Sequence, residues 1–126
     1  MTTYLLAVNG TLMRGLSLNA NLLRVGATFV EETTTDAHYR CWNVNDNHPG
    51  MIREEGKGAH ITVEIWAVPA DGLGALLQQE PAGLTMGKVK LIDGREVLGI
   101  LAEPWSVVGQ EEITRYGGWR EYWAQR

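Results

Sequence analysis

The chain has 126 residues, 44% of them hydrophobic, and carries a net charge of −4. That composition fills one core and excludes a disordered chain, and an acidic balance without any basic run excludes nucleic acid as the main partner. Cys41 is the only cysteine, which excludes an internal disulfide and a thiolate metal cluster. No apolar stretch approaches membrane-spanning length, and Met-Thr-Thr-Tyr does not open a signal peptide, so the sequence reads as a single domain, 1–126, of a cytoplasmic protein.

Thr3 to Val8 is short, apolar and closed by Asn9-Gly10, which predicts a buried strand. Gly10 can take a φ that other residues avoid, so the chain can turn sharply and point several backbone N–H groups one way. Such a row of donors suits a carboxylate or carbonyl oxygen; the same residues also suit an ordinary strand-to-helix turn. Leu16, Leu18, Leu22, Leu23 and Val25 recur at roughly helical spacing, with Ser17 placed to cap the helix and Gly26 to end it. Ala27 to Glu32 predicts a strand, and Thr33 to Asp36 its loop.

Ala37 to Val44 is a second extended run, with Tyr39, Cys41 and Asn43 on one face and His38, Arg40 and Trp42 on the other. Asn45 to Gly50 is dense in turn formers and predicts a loop, leaving Met51 to Arg53 as a short strand. His60 to Val68 alternates with a period of two over eight residues and is the clearest strand. Pro69 and Asp71 open a compact helix with Leu73, Leu76 and Leu77 on one face, stopped by Pro81. Lys88 to Ile92 and Arg95 to Leu101 flank Asp93-Gly94, a hairpin turn signal. The chain closes on a helix in which Trp119, Tyr122 and Trp123 share one face, an aromatic patch that docks on the body or on a second copy. Short strands outnumber helices and the two do not strictly alternate, which predicts an α+β fold built on a small mixed β-barrel with flanking short helices.

The three histidines, His38, His48 and His60, have no metal-ligand spacing. No Gly-x-Ser-x-Gly elbow and no phosphate loop occurs. Two carboxylates stand out. Glu64 lies mid-strand in an apolar alternation, facing either solvent or a barrel interior. Glu80 lies at a helix C-terminus, where the macrodipole disfavours an anion and partial burial would raise its pKa, as suits a general acid–base. A plain surface glutamate at a helix end gives the same pattern.

Val8-Asn9-Gly10-Thr11-Leu12 after an apolar strand resembles the Tyr-Gly-Ser-Asn or Tyr-Gly-Thr-Leu signature of the γ-glutamylcyclotransferase-like (AIG2-like) superfamily. Leu76-Leu77-Gln78-Gln79-Glu80 resembles its second motif, a Leu-rich helix ending in the catalytic glutamate. Closer still is the domain at the C-terminus of allophanate hydrolases. That resemblance runs in order through Asn9 to Met13, Tyr39-Arg40, Pro49 to Arg53, Val63 to Pro69, Gly87-Lys88-Val89, Asp93-Gly94 and Tyr116 to Arg120. It covers nearly the whole chain, without the amidase domain, as in a free-standing version.

The resemblance implies a small mixed β-barrel with a pocket at its mouth and no metal or organic cofactor. It also implies that Asn9, Gly10, Thr11 and Leu12 form a binding loop and that Glu80 is the base. In cyclotransferases the substrate's own amine attacks its γ-carbonyl, so the enzyme mainly supplies orientation, a base and an oxyanion site. Two departures stand against that activity: Asn9 replaces the usual aromatic residue, and Pro81 follows Glu80 where glycine is common. Three functions follow as expectations. The chain is a γ-glutamyl cyclotransferase; or it assists decarboxylation in urea and amide catabolism, with Tyr39, His48, Arg53 and His60 as polar groups; or it is a non-catalytic module. Its partners would be a small-molecule substrate and a second copy or an amidase.

Overall fold

The computed structural model describes residues 2–126. Eight strands form in chain order: β1 (Thr3–Val8), β2 (Thr28–Thr34), β3 (Tyr39–Val44), β4 (His48–Arg53), β5 (Thr62–Pro69), β6 (Leu84–Lys90), β7 (Glu96–Ala102) and β8 (Glu111–Glu112). The α-helices are short: α1 (Asn19–Arg24), α2 (Leu73–Gln78) and α3 (Trp119–Gln125). The class is α+β. One sheet has five strands in the order β2-β5-β1-β7-β6, parallel only between β1 and β7, and the other has three in the order β4-β3-β8.

The barrel expected from the sequence is not closed. The edge strands of the larger sheet run on to meet at a single bridge, Thr35–Leu91. There the Asp36 N–H donates to the Lys90 carbonyl at 2.9 Å and the Ile92 N–H to the Thr34 carbonyl at 3.0 Å. Leu6, Val63, Ile65, Val68, Met51, Leu91 and Ile113 fill the core.

β5 is buried on both faces save at Thr62 and Ala67, so the period of two in its sequence does not mark a solvent-facing side. The Asp93-Gly94 turn joins β6 to β7 with Gly94 at φ +92°, as the hairpin signal requires. Trp119 and Tyr122 of α3 are buried and stacked, centroids 6.2 Å apart, while Trp123 stays 40% exposed.

Several boundaries differ from those expected. β4 begins at His48, inside the stretch read as a loop, because only Asn45 and Asp46 adopt left-handed backbone and the turn is complete by Asn47. Pro49 is tolerated there because β4 is an edge strand. Helix α1 starts after Leu18, with no side-chain cap, so Ser17 does not cap it. Strand β2 continues to Thr34, beyond the expected loop start.

Candidate functional site

The loop that leaves β1 opens onto a small cleft of about 20 Å³, room for a water molecule and far below the size of a preformed ligand pocket. Val8, Asn9, Gly10, Thr11 and Leu12 form one wall; His48 and Pro49 of β4, Glu80 after α2, Leu84 of β6 and Ile100 of β7 complete it. The cleft therefore lies where the edge strand of the small sheet reaches the large one. No Lys or Arg lines it.

Asn9 is the unusual residue of this wall. It is only 5% exposed, and its side-chain amide has no partner among the described residues. No side-chain polar atom in the described residues is sealed from solvent without a partner, so that amide opens to the cleft. The N–H groups of Gly10, Thr11 and Leu12 donate to no acceptor among the described residues either, because the loop's internal bonds begin later, with Met13 N–H to Gly10 carbonyl at 3.0 Å. Leu12 and Met13 anchor the loop by burying their side chains.

Gly10 is not held at a positive φ, contrary to the conformational freedom expected of it. It is glycine because Pro49 lies against it: a Cβ there would stand 2.5 Å from Pro49 Cδ.

Glu80 is half-buried at the end of α2, and its carboxyl has no partner among the described residues. Burial pushes that carboxyl above its ordinary range. His48 Nδ1 lies 2.9 Å from the Pro49 carbonyl oxygen. A carbonyl can only accept, so Nδ1 is the donor of this contact. One small space thus holds a carboxyl displaced toward its neutral form, an imidazole ring, an uncommitted amide and free backbone donors.

Tyr39 and Arg53 are not brought to this cleft. Tyr39 is buried and its hydroxyl accepts the Lys90 N–H at 2.9 Å. Arg53 lies over the Tyr39 ring, 5.3 Å from its centre, and pairs with Asp36 at 2.8 Å and Glu55 at 3.0 Å. Burial, the largest influence on Asp36, pushes its carboxyl up, but the Arg53 and His38 hydrogen bonds outweigh it and hold the carboxyl below its usual range. His60 donates from Nδ1 to the Thr35 carbonyl at 2.8 Å, so these polar groups form a second cluster around Thr35 and Asp36. Among the described residues no three of His, Cys, Asp and Glu stand close enough to hold a metal ion. No helix there is long and apolar enough to cross a membrane.

Reading the sequence missed the arrangement beside the cleft. Glu64 is fully buried and bound by Arg14, Trp66 and Arg120. The signal was present in two places, a lone carboxylate inside an apolar alternation and the arginine after Gly117-Gly118-Trp119, but nothing local joins residues that far apart.

Comparison with known proteins places this geometry. Residues 4–124 match the profile of the allophanate hydrolase C-terminal domain. The urea amidolyase of Saccharomyces cerevisiae is 32% identical over 96% of this chain, and the chain spans only 7% of that protein's length. The crystal structure of a uropathogenic E. coli-specific protein superposes with a TM-score of 0.97 at 60% identity, covering 100% of this chain and 99% of that one. Kluyveromyces lactis allophanate hydrolase superposes at 0.92 with 29% identity, over 99% of this chain and 22% of its own. A mouse AIG2-like protein shares the fold at a TM-score of 0.63 and 21% identity, over 85% of this chain and 84% of that one.

Proposed function

We propose a function on the premise that this chain belongs to the allophanate hydrolase C-terminal domain family: it binds a small carboxylate or amide metabolite in the cleft of the Asn9–Leu12 loop, within urea or amide nitrogen catabolism. The observation that carries the proposal is the Asn9 amide, nearly buried, without a partner among the described residues, beside three unused backbone donors. Such groups lose hydrogen bonds to water unless a ligand supplies them, so a planar carbonyl-bearing molecule gains there. The family setting supports an amidase-type partner, since this domain is a small part of the yeast urea amidolyase.

A second reading, favoured by Glu80 in the same cleft, is cyclotransfer. Glu80 takes a proton from the α-amino group of a γ-glutamyl amide, and the amine nitrogen attacks the γ-carbonyl while the loop N–H groups hold the developing oxyanion. The C–N bond to the leaving amine then breaks, Glu80 returns the proton to that amine, and pyroglutamate departs. Under a third reading, the decarboxylation role, the polar groups are Tyr39, His48, Arg53 and His60, of which His48 lines the cleft and the other three gather around Thr35 and Asp36.

One pair of measurements separates the readings. Backbone amide NMR titration with acetamide and with malonate is expected to move Asn9–Leu12 resonances in the wild type, and to weaken about tenfold in Asn9→Ala, the effect of one lost hydrogen bond. Shifts confined to Tyr39, Arg53 and His60 would overturn the cleft as the site. Pyroglutamate release from γ-glutamyl amines by the wild type, abolished in Glu80→Gln, would establish cyclotransfer; no release alongside cleft binding would leave a binding module.

A further inference from the structure

The arrangement around Glu64 has no part in the chemistry above. Glu64 lies on β5 directly across from Val8, the last residue of β1. From Val8 the chain leaves the sheet as the loop, and it returns at Arg14, whose backbone N–H donates to Glu64 Oε1 at 2.9 Å. One residue thus stands at both ends of the loop, its backbone across from Val8 and its carboxylate on Arg14.

Each carboxylate oxygen receives two donors. Oε1 takes the Arg14 N–H and the Trp66 indole at 3.1 Å; Oε2 takes Arg14 Nε at 3.1 Å and Arg120 Nη2 at 2.9 Å. The same Arg120 nitrogen donates to the Arg14 carbonyl at 2.7 Å. Arg14 is therefore gripped by its N–H, its carbonyl and its side chain. Its guanidinium also lies 3.7 Å over the Phe29 ring and pairs with Glu32 at 3.5 Å. The four acceptor positions of a carboxylate are filled, and no other side chain among the described residues carries that pattern.

A buried ionic cluster of this kind contributes little net stability over an apolar substitute, because desolvation offsets attraction. Its distinctive effect is geometric: it admits one position for the end of the loop. We propose that Glu64 is a positioning residue that clasps the loop at its two ends, and that Arg120 ties the setting of the loop to helix α3. The clasp concerns the geometry of the loop and stands whether or not the cleft binds the ligands proposed above. Because Glu64, Arg14 and Arg120 do not line the cleft, their substitution reaches the free donors at Gly10–Leu12 only through the backbone.

The test is backbone amide hydrogen exchange on the full chain, read by NMR. Glu64→Gln replaces one acceptor oxygen with an N–H₂ group facing cationic donors, so the clasp opens. Exchange at Met13 and Leu18, whose N–H groups close the loop onto the Gly10 and Thr11 carbonyls, is expected to accelerate about tenfold more than at amides of the β3–β4 ladder. A uniform acceleration over loop and ladder, or none, would overturn the proposal, since a merely stabilising residue lowers protection everywhere. Where Glu64→Gln does not fold, Arg120→Met keeps the stem and the charge of Glu64 but removes two of the grips. It is expected to give the same local pattern by about threefold, and a uniform or absent change there would overturn the proposal equally.

Discussion

A Cβ on Gly10 would stand 2.5 Å from Pro49 Cδ and 2.7 Å from its Cγ, closer than carbon atoms approach. Glycine is needed there for room, so that β4 can close one side of the cleft. Gly10→Ala is expected to lower stability by about 1–3 kcal/mol, the usual cost of forcing extra atoms into a packed contact. Pro49→Ala added to it should restore most of the loss in urea unfolding. If a left-handed backbone were the reason for the glycine, the second substitution would restore nothing. Asn9 follows a different logic at the next position: an amide left unpaired near the core is tolerated because the cleft keeps it in reach of water or a ligand.

Two elements decide how the cleft is held. β5 is an interior strand, bonded to β1 and β2, and its Glu64–Trp66 face is covered by Arg14, Phe29 and Arg120. Helix α3 supplies Arg120 and is itself fastened by aromatic packing. Tyr122 is edge-on to Tyr116 at 5.2 Å and stacked on Trp119. The Tyr122 hydroxyl accepts from Asn43 Nδ2 at 3.1 Å and donates to Glu111 at 2.7 Å. Trp119→Ala is expected to cost about 3–5 kcal/mol, as for a buried large aromatic, and Trp123→Ala, at 40% exposure, less than about 1 kcal/mol. Urea midpoints of the two variants check this, and equal losses would refute the docking of α3 through Trp119.

For the whole molecule, the balance of carboxyl groups sets the response to pH. For Glu64, burial pushes upward most strongly, yet the Arg14, Trp66 and Arg120 hydrogen bonds together outweigh it and hold the carboxyl below its ordinary range. Glu112 is held down first by Arg40, and Asp36 is likewise lowered. A carboxylate lowered in the fold adds stability that is present above its unfolded pKa, about 3.9 to 4.3, and is lost as pH falls through its folded value. Stability is therefore expected to drop below about pH 4, mainly through Glu64, because the more exposed pairs are screened by solvent. Glu80 has the opposite sign. Its raised pKa means that its contribution is full below about pH 4.3 and is lost as pH rises through its folded value. Glu80→Gln should consequently be more stable than the wild type at pH 7 and indistinguishable from it at pH 4, as urea unfolding at the two values would show. A variant less stable at pH 7 would mean that the ionised Glu80 carboxylate stabilises the fold.

By itself the sequence determined the α+β class, the strand β5, the β6–β7 hairpin and the family, because period-two alternation, Asp-Gly turns and ordered motifs are local and survive in one dimension. It also indicated the Asn9–Leu12 loop and Glu80, since each ends an element recognisable from its own residues. Only the tertiary structure decided the rest. The ends of the barrel meet at one bridge, Tyr39 and Arg53 gather away from the cleft, and His48 and Pro49 enter it from a strand that the local turn signals concealed. The reason for Gly10 emerged only with Pro49 placed against it. Glu64 is the plainest case: the alternation of β5 leaves its face open to two outcomes. Burial was decided by arginines 50 and 56 residues away, because a carboxylate can leave water only when enough donors converge on it.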